Sequence, residues 1–347
     1  MSRKYVVPFV ALLYGCAALQ FIRFYCKDTT FYLNMFAYLG GHERVPFQER
    51  VLPILFLKPL QESQWVQLHL AHSKGAFTPE RGPFYLLSLI AFAVAIFYTQ
   101  RLYSLLTSRG LLRLLVFPVF LFACMWTYSI HSEANYSYPY DLPSLAFFTA
   151  GLYYIYSRRF LPLFFIVLVG TFNRETTLFL IGIFLLDALT PLDSLNKARF
   201  DLRLFPWLKA GLLAAVWLAI KITLVHHFKG NDNSESFLRI HYNLDELRPR
   251  LVPALLNLCG YTLPIVLIFQ RSLEPRRFRN YLWILPFWFL VMFCSGVLVE
   301  TRIYGELCSF SAVALVLIIE NSVEERLRES DLSVAHGTQA IPSTAGA

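Results

Sequence analysis

The sequence predicts an all-α fold: a polytopic transmembrane helical bundle of about ten spans, some short or broken. A long first extracytoplasmic loop carries an interfacial helix. Three observations predict it. The 347 residues are 56% hydrophobic and only 16% charged, where a soluble chain carries about 25% charge. The apolar residues run in long blocks rather than in alternating or amphipathic patterns, as membrane spans do. The basic residues gather in short connections between those blocks, which is the positive-inside pattern of cytoplasmic loops. The net charge of +8 is therefore a topology signal, and no nucleic acid is expected as a partner.

The blocks, in order, are 5–22, 84–100, 112–130, 142–157, 160–170, 176–187, 206–226, 251–269, 280–299 and 303–319. The opening MSRKYVVPFVALLYGCAALQF has the make-up of a secretory signal. No small-x-small cleavage site precedes a soluble domain, and more apolar sequence follows, so a retained first span is expected. The basic stretches MSRK, 100–113, SRR at 157–159 and QRSLEPRRFRN at 270–280 place the N-terminus and alternate connections in the cytoplasm.

Blocks 160–170 and 176–187 would be only ~17–18 Å long as helices, against a hydrocarbon core of ~30 Å. SRR before them and LNKARFDLR (195–203) after them are both basic, so the chain is expected to go out and back, with TFNRE at the outer turn. Gly170 then reads as a helix end and Asn173 as an N-cap. Glu175 falls in the first helical turn, where the dipole favours a carboxylate. Residues 1–320 form the integral membrane domain. Residues 321–347 form a polar cytoplasmic tail, expected to be disordered. The six cysteines show neither metal-ligand spacing nor a disulfide framework and are assigned to packing.

Carried to the end, the alternation makes 23–83, 131–141, 171–175, 227–250 and 300–302 extracytoplasmic. These segments collect acids and arginines on one side: Asp28, Glu43, Glu49, Glu133, Asp141, Glu175, Glu300 and Glu306, with Arg50, Arg174 and Arg302 beside them. In PFQERVLPILFLKPL (46–60), Arg50 leads into an apolar stretch too short to span, an interfacial helix by pattern. It either caps the bundle or belongs to a substrate-facing loop with a catalytic carboxylate. In HSEANYSYPYDLPSL (131–145) the tyrosines suit a membrane boundary, and Asp141 is either a helix cap or a site residue. Arg302 and Glu306 are four apart and would share a helix face, forming a salt bridge. Alternatively, the Arg302 fork meets a phosphate. His226, His227 and His241 show no metal-ligand pattern. Asp232 and Glu235 offer oxygens that could serve a divalent cation, and no cofactor is otherwise indicated. Nucleotide-binding and Ser-centred hydrolase motifs are absent from the sequence.

The long acidic first outer loop, the outer Arg and Glu residues at later span edges and the many short spans resemble the GT-C class of polytopic membrane glycosyltransferases. ERVLP (49–53), YDLPSLAFFTAGL (140–152) and NRETTLFL (173–180) look like segments of bacterial membrane proteins of that type. The resemblance spans most of residues 1–320 in organisation. It implies a bacterial inner-membrane enzyme, with both termini cytoplasmic. Such an enzyme takes a sugar from a polyprenyl-phosphate lipid carrier to a glycan, lipid or protein acceptor on the outer face. Asp28 and Glu49 would be the candidate bases. Arg50, Arg174 and Arg302 would face the phosphate, with Asp141, Glu175 and Glu300 in the same substrate-binding group. The sequence departs from the family in one respect: CKDTTFY (26–32) holds a single acid, Asp28, where members often show a pair. Two other readings stay open: a transporter or flippase for an anionic or lipid-linked substrate, and a non-catalytic membrane assembly subunit.

Overall fold

A computed structural model describes residues 3–28, 32–70, 78, 81–107, 110, 112–130, 136–190, 204–235 and 238–338. Among them the chain is helical, with no β-strand. Six helical stretches are long and apolar enough to cross a membrane: Pro8–Cys26, Gly82–Leu106, Arg113–Ile130, Phe205–His227, Arg276–Ser295 and Thr301–Leu327. These make the chain an integral membrane protein by composition and length. The other apolar blocks form shorter helices.

The first half contains α1 (Arg3–Asp28), α2 (Met35–Gly40), α3 (Leu52–Glu62), α4 (Gln64–Leu70), α5 (Gly82–Leu106) and α6 (Arg113–Met125), the last extended by a π-helical turn to Ile130. Then come α7 (Asp141–Tyr156), α8 (Phe160–Asn173), α9 (Leu178–Ala188) and α10 (Leu204–His227). The chain finishes with α11 (Ile240–Leu256), α12 (Thr262–Ile268), α13 (Arg276–Arg279), α14 (Ile284–Ser295) and α15 (Cys308–Thr338).

The last helix is the centre of the bundle. Of its most apolar window, 89% is buried inside the protein, against 22% for α10. Small residues explain this, because they let neighbouring backbones approach. Ser309 meets Thr149 of α7 at 2.6 Å and Thr99 of α5 at 3.0 Å, and Ser311 meets Thr262 of α12 at 2.9 Å. The helix runs on to Thr338, past the boundary at 320 expected from the polar composition, and residues 339–347 lie outside the described set.

The out-and-back pair is present as a hairpin. The rings of Phe160, at the start of α8, and Phe184, late in α9, lie 5.9 Å apart. With 14 and 11 residues, the arms are ~21 and ~16 Å long. The caps differ from expectation. Helix α8 continues through Gly170 to Asn173, and the extended residue at the turn is Arg174 (φ −163°, ψ 143°). Asn173 caps nothing: it donates to Tyr140 O at 2.9 Å and to Ser144 Oγ at 2.8 Å, tying the turn to α7. Gly170 instead serves the fold-back, because a Cβ there would sit 2.8 Å from Thr177 Cγ2.

Block 251–269 is not one helix. The chain turns at 257–261 with positive φ at Cys259, Gly260 and Tyr261. A Cβ on Gly260 would come within 2.9 Å of Phe122 and Trp126, so this turn is packed tightly on α6. Helix α11 also begins at Ile240, inside the segment expected as a loop.

Alternate connections fall at opposite ends of the bundle. At one end, Tyr25 of α1 donates to Tyr138 O (3.0 Å), and Trp217 of α10 donates to Glu175 O (3.0 Å). At the other end, Arg277 clamps Asp187 of α9 at 2.6 Å and Ile155 O of α7 at 3.3 Å, while Asn321 of α15 reaches Ser272 O at 2.9 Å. Arg158, Arg159, Arg276 and Arg277 sit at this second end, and Glu43, Glu49, Asp141, Glu175, Glu300 and Glu306 sit at the first.

Candidate functional site

The first end of the bundle holds an open cavity of about 930 Å³. Glu49, Arg50, Arg174, Glu175, Glu300 and Arg302 all line it. Asp141 lies beneath them, fully buried. Asp28 closes α1, but its side chain lies outside the described residues, as does the whole of Glu133.

Each acid has a cation, and the pairing sets the geometry. Glu49 accepts from Lys221 Nζ at 2.6 Å. Arg50 binds Glu175 at 2.8 Å and lies over the Tyr140 ring, 4.3 Å from its centroid. Arg302 binds Glu300 at 2.5 Å and lies 4.1 Å over the Tyr138 ring. These aromatic faces hold the guanidinium planes while leaving their edges to carboxylates. Arg174 Nη1 is shared between Glu306 Oε1 at 3.2 Å and Asp141 Oδ1 at 3.4 Å. Thr176 Oγ1 also donates to Glu306, at 2.8 Å.

The salt bridge expected between Arg302 and Glu306 does not form. Residues Thr301–Leu307 make a 3-10 helix, whose tighter winding turns Glu306 toward Arg174 and leaves Arg302 to Glu300. Gly305 makes this turn possible, since a Cβ there would sit 1.9 Å from Tyr128 Oη. Asp141 opens α7 without a side-chain cap bond; it is held by the arginines.

Glu175 keeps 35% of its side chain exposed, toward the cavity. Burial opposes its ionisation, but Arg50 and then Lys221 outweigh that and hold the carboxyl well below the ordinary carboxylate range.

A strap crosses the mouth. Asn231 donates to Gly41 O at 3.0 Å and Glu43 O at 2.8 Å, and Val45 N donates to Asp232 O at 2.8 Å. Glu235 accepts from Tyr32 (2.9 Å), Arg44 (3.1 Å) and Arg239 (2.8 Å), so its oxygens are taken up by the strap. Asp232 is turned on Ser234 at 2.9 Å. These partners leave no oxygen pair pointing at a common cation, and no group of three His, Cys, Asp or Glu among the described residues could hold a metal ion.

Sequence reasoning passed over Lys221 and Trp217. Lys221 is the one charged residue within LLAAVWLAIKITLV (212–225). A lone charge inside an apolar span is itself a functional signal, and it could have been found that way.

A second cavity of about 670 Å³ lies beside the first, between α3, α5, α7 and α8. Its lining is apolar apart from Tyr98, Tyr154 and Asn173. Exposed Leu55 (71%), Ile90 (47%) and Phe165 (53%) rim it on the outer surface of the bundle. Pro53 and Asn173 line its end nearest the polar cavity, three residues from Arg50 and one from Arg174 in sequence.

The fold and cavity together define a multi-helix integral membrane protein with an ion-paired cavity at one end. Comparison with protein-family models, curated proteins and solved structures finds no match to this chain.

Proposed function

We propose that the chain is a membrane glycosyltransferase, moving a sugar from a polyprenyl-phosphate-type lipid carrier to an acceptor at the extracytoplasmic face. The observation that carries this reading is the polar cavity of carboxylates and arginines lying beside an apolar, lipid-facing one. A lipid-linked sugar has the same division: hydrocarbon, then phosphate, then polyol. In this reading the bundle crosses a bacterial inner membrane ten times, with α8 and α9 as the out-and-back pair, α3–α4 at the interface and both termini cytoplasmic.

Glu49 is the candidate base, with Asp28 as the other. The acceptor oxygen attacks the anomeric carbon and its proton passes to Glu49. The bond from the anomeric carbon to the phosphate oxygen breaks, and the phosphate leaves with the electron pair. Arg50, Arg174 and Arg302 stabilise that leaving charge. Lys221, now bound to Glu49, is placed to exchange toward the phosphate and free the base.

The test is transfer from a panel of polyprenyl-phosphate sugars by the protein in nanodiscs. Glu49→Gln is expected to lower turnover by about 10²–10⁴-fold while folded yield holds. Undiminished transfer would rule Glu49 out. The α8–α9 hairpin favours a second reading, because broken helices carrying polar turns also build transporter sites. Movement of a lipid-linked substrate across vesicles with no carrier consumed would select that reading.

A further inference from the structure

Beneath the cavity, the ion pairs do not balance. Lys221 answers Glu49, Arg50 answers Glu175 and Arg302 answers Glu300, at 2.6, 2.8 and 2.5 Å. Arg302 also reaches Asp141, at 3.7 Å, so among the described residues four cations meet five carboxylates, and two of these, Asp141 and Glu306, share Arg174. Both have fully buried side chains. Each also keeps one oxygen, Asp141 Oδ2 and Glu306 Oε2, that is buried without a hydrogen-bond partner. The excess acid therefore lies at the most desolvated point of the network, where an uncompensated charge costs most.

Other charged and titratable groups facing this point do not correct the imbalance. The first loop contributes Arg50, already paired. The turn before the last helix contributes Arg302, 3.7 Å from Asp141 Oδ1 but closer to Glu300. The phenols of Tyr25 on α1, Tyr128 beyond α6 and Tyr140 ahead of α7 add no positive charge. Cys308 at the start of α15 donates to Thr127.

We propose that Asp141 and Glu306 form a proton-binding site, one proton shared by two carboxyls, held under the cavity floor at neutral pH. Two carboxylates around one cation cannot both ionise cheaply in a low-dielectric site. The pair titrates as a unit. While the proton is held, Arg174 faces a single negative charge, and the cavity floor tolerates an anionic group of a ligand. When the proton is lost, the floor turns acidic and repels that group. The inference does not rest on the glycosyltransferase reading, since it concerns the protein without ligand.

Infrared spectroscopy of the full chain in nanodiscs tests it. The expected result is a protonated-carboxyl C=O stretch at neutral pH that disappears in Asp141→Asn and also in Glu306→Gln. In either variant the one acid left stands one to one with Arg174 and ionises. Both variants are expected to keep their folded yield, because an amide replaces a carboxyl in a pair that already carries a proton. The proposal is overturned if the wild type shows no such band, if the band survives in both variants, or if both amide variants fail to fold.

Discussion

Arg174→Met is the most informative single change. It keeps the length and apolar stem of the side chain and removes the one cation that Asp141 and Glu306 share, at 3.4 and 3.2 Å. Both acids are fully buried, so neither can turn to water. Breaking a buried ion pair by deleting one partner costs about 3–5 kcal/mol, chiefly through the charge left behind. Whole domains are stable by only about 5–15 kcal/mol, so the loss is a large fraction of the total. At roughly 2–4 °C per kcal/mol for chains above about 150 residues, the melting temperature should drop on the order of 10 °C. The assay is thermal unfolding of detergent-purified protein followed by size-exclusion recovery, with Arg174→Lys and Glu306→Gln alongside. Lysine keeps the charge without the fork and should fall between. The double change Arg174→Met/Glu306→Met, which removes charges on both sides, should recover part of the loss. A melting temperature within 2 °C of wild type for Arg174→Met would refute the claim that this cation holds the turn to α7 and to the segment before α15.

Gly305→Ala should be severe for its size, because the new methyl would land 1.9 Å from Tyr128 Oη; Tyr128→Ala in the same chain should restore folded yield, and equal yields for Gly305→Ala and wild type would show that the turn can shift. Arg50→Met should lower stability at neutral pH and make the remaining stability less dependent on acid pH. Glu175 is depressed in the fold by Arg50, so its contribution is present above the unfolded carboxyl value of about 4.3 and is lost as pH falls through the lower folded value. Without Arg50 the folded value rises toward the unfolded one, so the melting-temperature deficit of the variant is largest at neutral pH and narrows as pH falls below about 4.3; a deficit that stays constant into acid would count against the pairing.

The all-helical, multi-pass character was legible because it depends on transfer free energy, which composition and block length report directly. The hairpin at 160–187 was legible for a related reason. Two arms too short to span, flanked by basic residues on both sides, have one consistent arrangement. The caps within it were misread because Gly170 and Asn173 carry local signals that tertiary contacts override. Gly170 is small so that Thr177 can close in, and Asn173 donates across to Tyr140 and Ser144. Residues 251–269 misled for a similar reason: hydrophobicity is indifferent to the turn at 257–261, which exists because the backbone there packs on Phe122 and Trp126.

The site divides along the same line. The sequence by itself determined that acids and arginines lie at the ends of apolar segments on one side, since a charge in hydrocarbon is costly enough to constrain where it can sit. It also supplied six of the charged residues that line the cavity, Glu49, Arg50, Arg174, Glu175, Glu300 and Arg302, and passed over Lys221, Arg239 and Glu246. Only the tertiary structure decided which charge meets which. A pair energy depends on a few ångströms and on local burial, and neither follows from spacing. Hence Glu306, four residues from Arg302, belongs to Arg174, and two acids more than a hundred and sixty residues apart share one guanidinium.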